Sequence, residues 1–167
     1  MEPRFVIHSH YSEEEFVRYN RTIQYKLLHL KRNITVTNIA LLAMIVPQFV
    51  VGQYYYGIAM LIILAAANWY FFIGIDKKAK QIYRKNPLIQ ENVTFELAFH
   101  DDHYEGASEN GTSSVPYSRL HTIIETPTDF YIMHTLSSGT IIPKGDCPDG
   151  FFDFIRQVKS KYNKYNK

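Results

Sequence analysis

Residues 34–75 read ITVTNIALLAMIVPQFVVGQYYYGIAMLIILAAANWYFFIGI, and no Lys, Arg, Asp, Glu or His interrupts them. Two apolar stretches, Ile34–Val51 and Ile58–Ile75, flank the short segment Gly52-Gln53-Tyr54-Tyr55-Tyr56-Gly57. A charge at the bilayer centre costs roughly 3 kcal/mol on insertion scales, so a gap this long in a charge-rich chain is a membrane signal. Each stretch has about 18 residues, within the range that crosses a hydrocarbon core of about 30 Å. The expected structure is a tight transmembrane hairpin of two antiparallel helices, with every backbone polar group satisfied inside a helix. Tyr54, Tyr55 and Tyr56 fit an aromatic belt at one membrane face, and Trp69, Tyr70, Phe71 and Phe72 approach the other.

Charge on the flanks is one-sided. Arg4, Arg18, Arg21, Lys26, Lys31 and Arg32 precede the first span, and Lys77, Lys78, Lys80, Arg84 and Lys85 follow the second. The connection between the spans has none. The positive-inside rule therefore places both termini in the cytoplasm and the tyrosines outside, in a multi-pass protein of the cell membrane. A buried hairpin in a soluble helical protein is the competing reading. It requires other helices to cover two all-round apolar ones, and a chain of 167 residues has few to offer. A signal peptide is not expected, because the apolar run begins late and no small-residue cleavage site follows it. Pro47 should loosen the first helix. Asn68 lies near the middle of the second, and Asn38 at similar depth in the first. A polar amide in lipid faces a partner helix, so this pair is read as a helix–helix contact rather than a gate.

The formal net charge of +2 hides segregation. Residues 91–153 hold eleven acidic and two basic side chains, whereas the segments beside the spans and the C-terminal tail are basic. Anionic lipid attracts basic juxtamembrane segments at about 1 kcal/mol per charge. Lys77, Lys78, Lys80, Arg84 and Lys85 are therefore the candidate anionic-lipid contacts, with setting the topology as their other possible role. An acidic compact domain argues against nucleic acid as a partner. The single cysteine, Cys147, cannot form an intrachain disulfide and suits a reducing compartment.

Outside the spans the periodicity divides the chain further. Arg4–His10 reads as a short strand. Ser12 with Glu15 three residues later is a capping box, with acids on the positive end of the helix it opens. That helix carries Phe16, Tyr19, Ile23, Leu27, Leu30 and Ile34 as one stripe leading directly into the first span. Asp76–Lys85 reads as a basic helix that ends at Asn86-Pro87. From Asn92 the period becomes two: Val93, Phe95, Leu97 and Phe99 alternate with polar or small residues. Strands at 104–108, 112–116, 120–126, 130–136 and 140–143 follow, separated by turn residues that include Asn110-Gly111. Phe151, Phe154, Ile155, Val158 and Tyr162 line one side of a final helix. The expected fold is α+β: a two-helix transmembrane hairpin plus a small antiparallel β-roll of pleckstrin-homology type capped by a C-terminal helix. The boundaries are 1–33 for the strand and amphipathic helix, 34–75 for the hairpin, 76–90 for a basic linker helix, and 91–167 for the cytoplasmic domain.

This order of parts resembles the bacterial YcxB-like family. The residues that carry the likeness are Tyr11-Ser12-Glu13-Glu14-Glu15-Phe16 with Tyr19-Asn20, then Tyr117, Ile123-Ile124-Glu125-Thr126 and Phe130-Tyr131-Ile132. Ile141-Ile142-Pro143-Lys144 and Phe151, Phe154 and Ile155 complete it. The resemblance implies a bacterial membrane protein with a C-terminal domain of pleckstrin-homology type, and it supplies no catalytic residues. His100-Asp101-Asp102-His103 is more polar than the family pattern leads one to expect.

Single residues add little chemistry. His100 and His103 with their aspartates are read as a solvated turn, because residues this close on a tight turn rarely converge on one ion unaided. Glu125 has no second group placed beside it for acid–base work. Lys144 alone at a strand end does not make a phosphate site. No catalytic, cofactor or metal residue is therefore expected, and the chain is read as no enzyme. The expectation is a membrane-anchored cytoplasmic interaction or regulatory module. Its partners would be membrane lipid and a protein segment or a second copy of itself. The alternative is a small membrane immunity or resistance protein directed against a pore-forming toxin or antimicrobial peptide.

Overall fold

The computed structural model describes residues 2–10, 12–86, 95–108 and 111–162. They form a mixed α+β structure with four helices, two of them long and apolar, and antiparallel sheets. The chain divides into two compact units, one of Met1–Tyr19 with Tyr83–Lys167 and one of Asn20–Ile82.

The second unit is built on two helices, α2 (Leu30–Val50) and α3 (Tyr54–Lys85). At 1.5 Å per residue α2 is about 31 Å long, the thickness of a hydrocarbon core. Their connection is shorter than the six residues the sequence leads one to expect, because the tyrosines lie in the first turn of α3. Gly52 makes this possible. It takes the left-handed conformation (φ 83°), its N–H donates to the Phe49 carbonyl, and the Gln53 N–H donates to the Gln48 carbonyl at 2.8 Å. That pattern closes α2 with paired rather than orphaned carbonyls. Gly57 follows, and a Cβ there would lie 2.6 Å from the Phe49 ring, so the ring packs on bare backbone. α3 also continues unbroken through Lys85, so the basic segment 76–85 is the end of the second apolar helix and not a separate linker helix. In the most apolar eighteen-residue window, 6% of α2 and none of α3 is buried. Val36, Ile39, Met44, Ile62 and Ile63 are all exposed.

The apolar stripe predicts one continuous helix into the first span, but α1 (Glu13–Lys26) stops before α2 begins. His29 lies in the left-handed region (φ 49°, ψ 35°), the one non-glycine among the described residues with positive φ. The Leu27 and Leu28 N–H groups both donate to the Ile23 carbonyl, and the Asn33 amide donates to the Leu28 carbonyl at 3.3 Å. A break without Gly or Pro leaves the 3.6-residue period intact, which is why the pattern hides it.

Among the described residues the first unit holds seven antiparallel strands. β1 (Phe5–Ser9), β2 (Phe95–Phe99), β3 (His103–Ser108) and β4 (Gly111–Pro116) form a four-stranded sheet in that order. β5 (Thr122–Glu125), β6 (Asp129–Met133) and β7 (Gly139–Pro143) form a three-stranded sheet. The N-terminal strand joins the domain by pairing Ile7 with Leu97 across a gap of ninety residues in sequence. The expected start of β2 at 92–94 and Asn110 of the expected turn lie outside the described residues. Period-two alternation sends Leu97 and Phe99 inward, where Ile7, Tyr104, Tyr117, Phe130, Ile132 and Ile142 join them. Helix α4 (Phe151–Tyr162) closes this core with Phe151, Phe154, Ile155 and Val158, spaced along one stripe. Phe99 and Phe151 meet edge to face at 4.9 Å.

The start of α1 belongs to the same unit. Ser12 and Glu15 form a reciprocal capping box: the Ser12 N–H donates to Glu15 Oε2 (2.7 Å) and the Glu15 N–H to Ser12 Oγ (3.3 Å). Val17 and Tyr19 are buried, and the Tyr19 ring meets Tyr131 edge to face at 5.2 Å.

Candidate functional site

The long apolar helices place their polar groups at few points. Asn38 lies fourteen residues before Gly52 and Asn68 fifteen after Gln53, or about 21 Å and about 22 Å from the turn along antiparallel helices. The structure brings the two together. Asn38 Nδ2 donates to Asn68 Oδ1 at 3.0 Å, and Asn68 Nδ2 donates back to Asn38 Oδ1 at 3.1 Å and to the Leu64 carbonyl at 2.8 Å. Each amide thus gives and takes one bond with its partner, which leaves the pair suited to holding helices together.

The same unit has an open cleft of about 780 Å³ where α3 turns from apolar to basic. Tyr70 and Phe71 line one part, Asn20 and Gln24 contribute amides, and Lys77 and Lys78 contribute ammonium groups. Leu30, Gly74 and Ile75 complete its apolar wall. Beside it Arg21 forms a two-pronged ion pair with Asp76, so that carboxylate is already matched. Neither Lys77 nor Lys78 takes part in an ion pair among the described residues. The cleft thus joins aromatic and aliphatic walls to two positive charges, the chemistry of an amphiphile with an anionic head.

The five basic residues that the sequence groups together have different surroundings. Lys77 and Lys78 line the cleft, whereas Arg84 belongs to the β unit. There it holds Glu13 through two bonds, Nε to Oε2 at 2.8 Å and Nη2 to Oε1 at 3.2 Å. Lys80 makes contacts of its own, and Lys85 ends α3. Sequence order alone does not show that the acidic first turn of α1 meets the basic end of α3.

In the β unit the titratable groups engage each other. Glu125 accepts from Arg156 Nη2 (2.7 Å), Arg156 Nε (3.2 Å) and Lys144 Nζ (3.0 Å). The Arg156 guanidinium first, then Lys144, holds the Glu125 carboxyl down at about 2. Lys144 also sits over the rings of Phe130 (4.7 Å) and Phe152 (5.4 Å). The sequence treats Glu125 and Lys144 as isolated, yet β5, the 3-10 turn that follows β7, and α4 converge to make them one ion network. Asp129, fully buried, is a residue that sequence reasoning passes over. It accepts from Thr128 Oγ1 (2.6 Å), Tyr131 Oη (3.1 Å) and Arg18 Nε (3.1 Å), so α1 is tied to β6 through a buried carboxylate. The Asp before Phe130 is the available signal, but it reads equally as a turn residue. Burial pushes the Cys147 thiol up to about 12, far from the thiolate that reactive cysteines need. The β2–β3 turn brings His100, His103 and Glu105 together on one face.

No curated protein and no solved structure shows significant similarity to the chain. Residues 99–157, which run from the last residue of β2 into α4, match the family model described as YcxB-like protein, the family that the order of motifs resembles.

Proposed function

We propose that this protein is a membrane-anchored, non-catalytic interaction module, with both termini in the cytoplasm of a bacterial cell. Its α2–α3 hairpin crosses the bilayer. Its β unit is a pleckstrin-homology-like roll held at the inner face, where it engages anionic lipid headgroups or a protein segment. The observation that carries this reading is the contrast in burial. The β unit buries its large apolar side chains around one core, while two helices of membrane-spanning length leave theirs uncovered. A solvated helix pair with that surface would aggregate, whereas a bilayer covers it at no cost. The near-complete exposure also disfavours a soluble core hairpin, whose helices are mostly buried. The basic end of α3 supports the orientation, because Lys77 and Lys78 fall where the apolar surface ends.

The roll reading rests on seven antiparallel strands in sheets of four and three, with an amphipathic helix closing the core. The module reading rests on the use of charge. Glu125 pairs with both Lys144 and Arg156, and Arg18 pairs with Asp129. These pairings hold the fold together.

The test is a pair of reporter fusions to the full chain, one after Lys167 and one inserted at Gln53, each scored for cytoplasmic against external activity. A cytoplasmic C-terminus with an external Gln53 is expected. Cytoplasmic activity at both sites would overturn the transmembrane hairpin.

A further inference from the structure

The β2–β3 turn gathers ligand types that nothing in the anchor-and-module reading uses. Continuing the register of Phe99 opposite Tyr104, His100 faces His103 directly across the hairpin, and the His100 N–H donates to the His103 carbonyl at 3.0 Å. Directly paired residues share a face, so the two imidazoles lie side by side, with ring centroids 4.5 Å apart and planes within 6°. Glu105 is two residues beyond His103 and shares its face, while Tyr104 between them points into the core. Ligand atoms of His100, His103 and Glu105 all lie within 4.8 Å of one another. His103 Nε2 is 3.4 Å from Glu105 Oε1. Ligands at about 2.0–2.1 Å from a tetrahedral zinc ion stand about 3.4 Å apart, so this distance is already an edge of the coordination polyhedron.

The surroundings fix the arrangement further. Asp102 Oδ1 is 2.6 Å from His103 Nδ1, which is the carboxylate–histidine contact that orients a metal-ligating imidazole and leaves Nε2 for the ion. The Asp102 carbonyl accepts from the Tyr117 N–H at 2.9 Å, and Asp101 pairs with Arg4 at 3.2 Å, so both aspartates are anchored to neighbouring elements. Two imidazoles and one carboxylate suit a borderline divalent ion of the zinc class rather than Mg²⁺ or Ca²⁺, which take oxygen ligands.

We propose that His100, His103 and Glu105 form a three-ligand site for a zinc-class divalent ion on the β2–β3 hairpin. The fourth position goes to water or to a donor from another molecule. Bound there, the ion cross-links two strands of the four-stranded sheet and puts a positive centre on an otherwise acidic turn. The site is independent of the membrane reading.

The test is titration of the untagged full chain in detergent with Zn²⁺ by calorimetry, and with Co²⁺ by visible absorption. Wild type is expected to take up one ion per chain, with the intense ligand-field bands of a tetrahedral Co²⁺ centre. His100→Gln, His103→Gln and Glu105→Gln should each weaken uptake at least tenfold, Asp102→Asn about tenfold, and His8→Gln not at all. Far-ultraviolet circular dichroism of the metal-free variants checks that each is folded. Absence of stoichiometric uptake by wild type, or the same affinity in a folded His100→Gln/His103→Gln double variant, would overturn the site. Those results would leave His103 as an ion-pair partner of Asp102 and Glu105.

Discussion

Replacing the asparagines of the hairpin separately and together tests both the packing and the medium around it. In Asn68→Leu, Asn38 loses the bonds of 3.0 and 3.1 Å at once. In Asn38→Leu, Asn68 loses the same two but still donates to the Leu64 carbonyl at 2.8 Å. Interhelical hydrogen bonds in membranes average about 0.6 kcal/mol and reach about 1.7 kcal/mol, so two reciprocal bonds give a coupling of about 1–3 kcal/mol. Asn68→Leu should therefore destabilise the hairpin more than Asn38→Leu. The double variant should be less destabilised than the sum of the singles by that coupling, because it leaves no unmatched amide in hydrocarbon. The assay is a double-mutant cycle on the full chain in bicelles, with the unfolded fraction followed as sodium dodecyl sulfate is added. A solvated amide pair exchanges its partner for water, and its coupling falls below about 0.5 kcal/mol. Coupling that small, or a double variant worse than the sum, would refute both the pairing and the apolar environment argued for it.

Three further outcomes follow from the described contacts. Arg18→Met leaves the buried Asp129 carboxylate with only its hydroxyl donors and should cost about 1–3 kcal/mol, most of it recovered in Arg18→Met/Asp129→Asn; equal thermal midpoints for Arg18→Met and wild type would refute the link. Glu125 is held near 2 in the fold, below its ordinary carboxyl value, so its stabilisation is present above about pH 5 and is lost as pH falls toward 2, by about 3 kcal/mol at most given its partial exposure. The stability gap between wild type and Glu125→Gln should therefore narrow in that window, and a gap independent of pH in denaturant titrations would contradict the network. Lys77→Gln/Lys78→Gln should reduce retention of anionic over zwitterionic lipid in native mass spectrometry, by about thirtyfold if each charge contributes near 1 kcal/mol, whereas Lys85→Gln should retain more of it; equal loss from both variants would mean diffuse attraction in place of a cleft.

The sequence carried the elements whose information is local. A charge gap, a capping box at Ser12 and Glu15, period-two alternation into Phe99 and the apolar stripe of α4 each depend on residues within a few positions of one another. They place the two apolar helices and the seven strands. What escaped is what the chain does not encode locally. The break at His29 has no glycine or proline to mark it, so a helical period ran straight across two helices. The short connection at Gly52 turned on the left-handed conformation of one residue, which drew the tyrosines into α3. The site residues show the same division. Asn38 and Asn68 can be paired from sequence because a hairpin makes depth a matter of counting from its turn. Glu125 with Lys144, and Arg18 with Asp129, come from elements 19 and 111 residues apart, and only tertiary packing sets their partners. The histidine turn lies between these cases. Its four residues were visible as a cluster, but convergence required His103 and Glu105 to be in register on one strand with His100 across from them. That register depends on where β2 and β3 pair, and a shift of one residue would turn Glu105 into the core and Tyr104 out of it. The core packing of Tyr104 against Phe99, stacked at 5.5 Å, thus holds the ligand face outward. The prospective metal site is accordingly a consequence of the hydrophobic register, and Tyr104 belongs to it as a positioning residue as much as to the core.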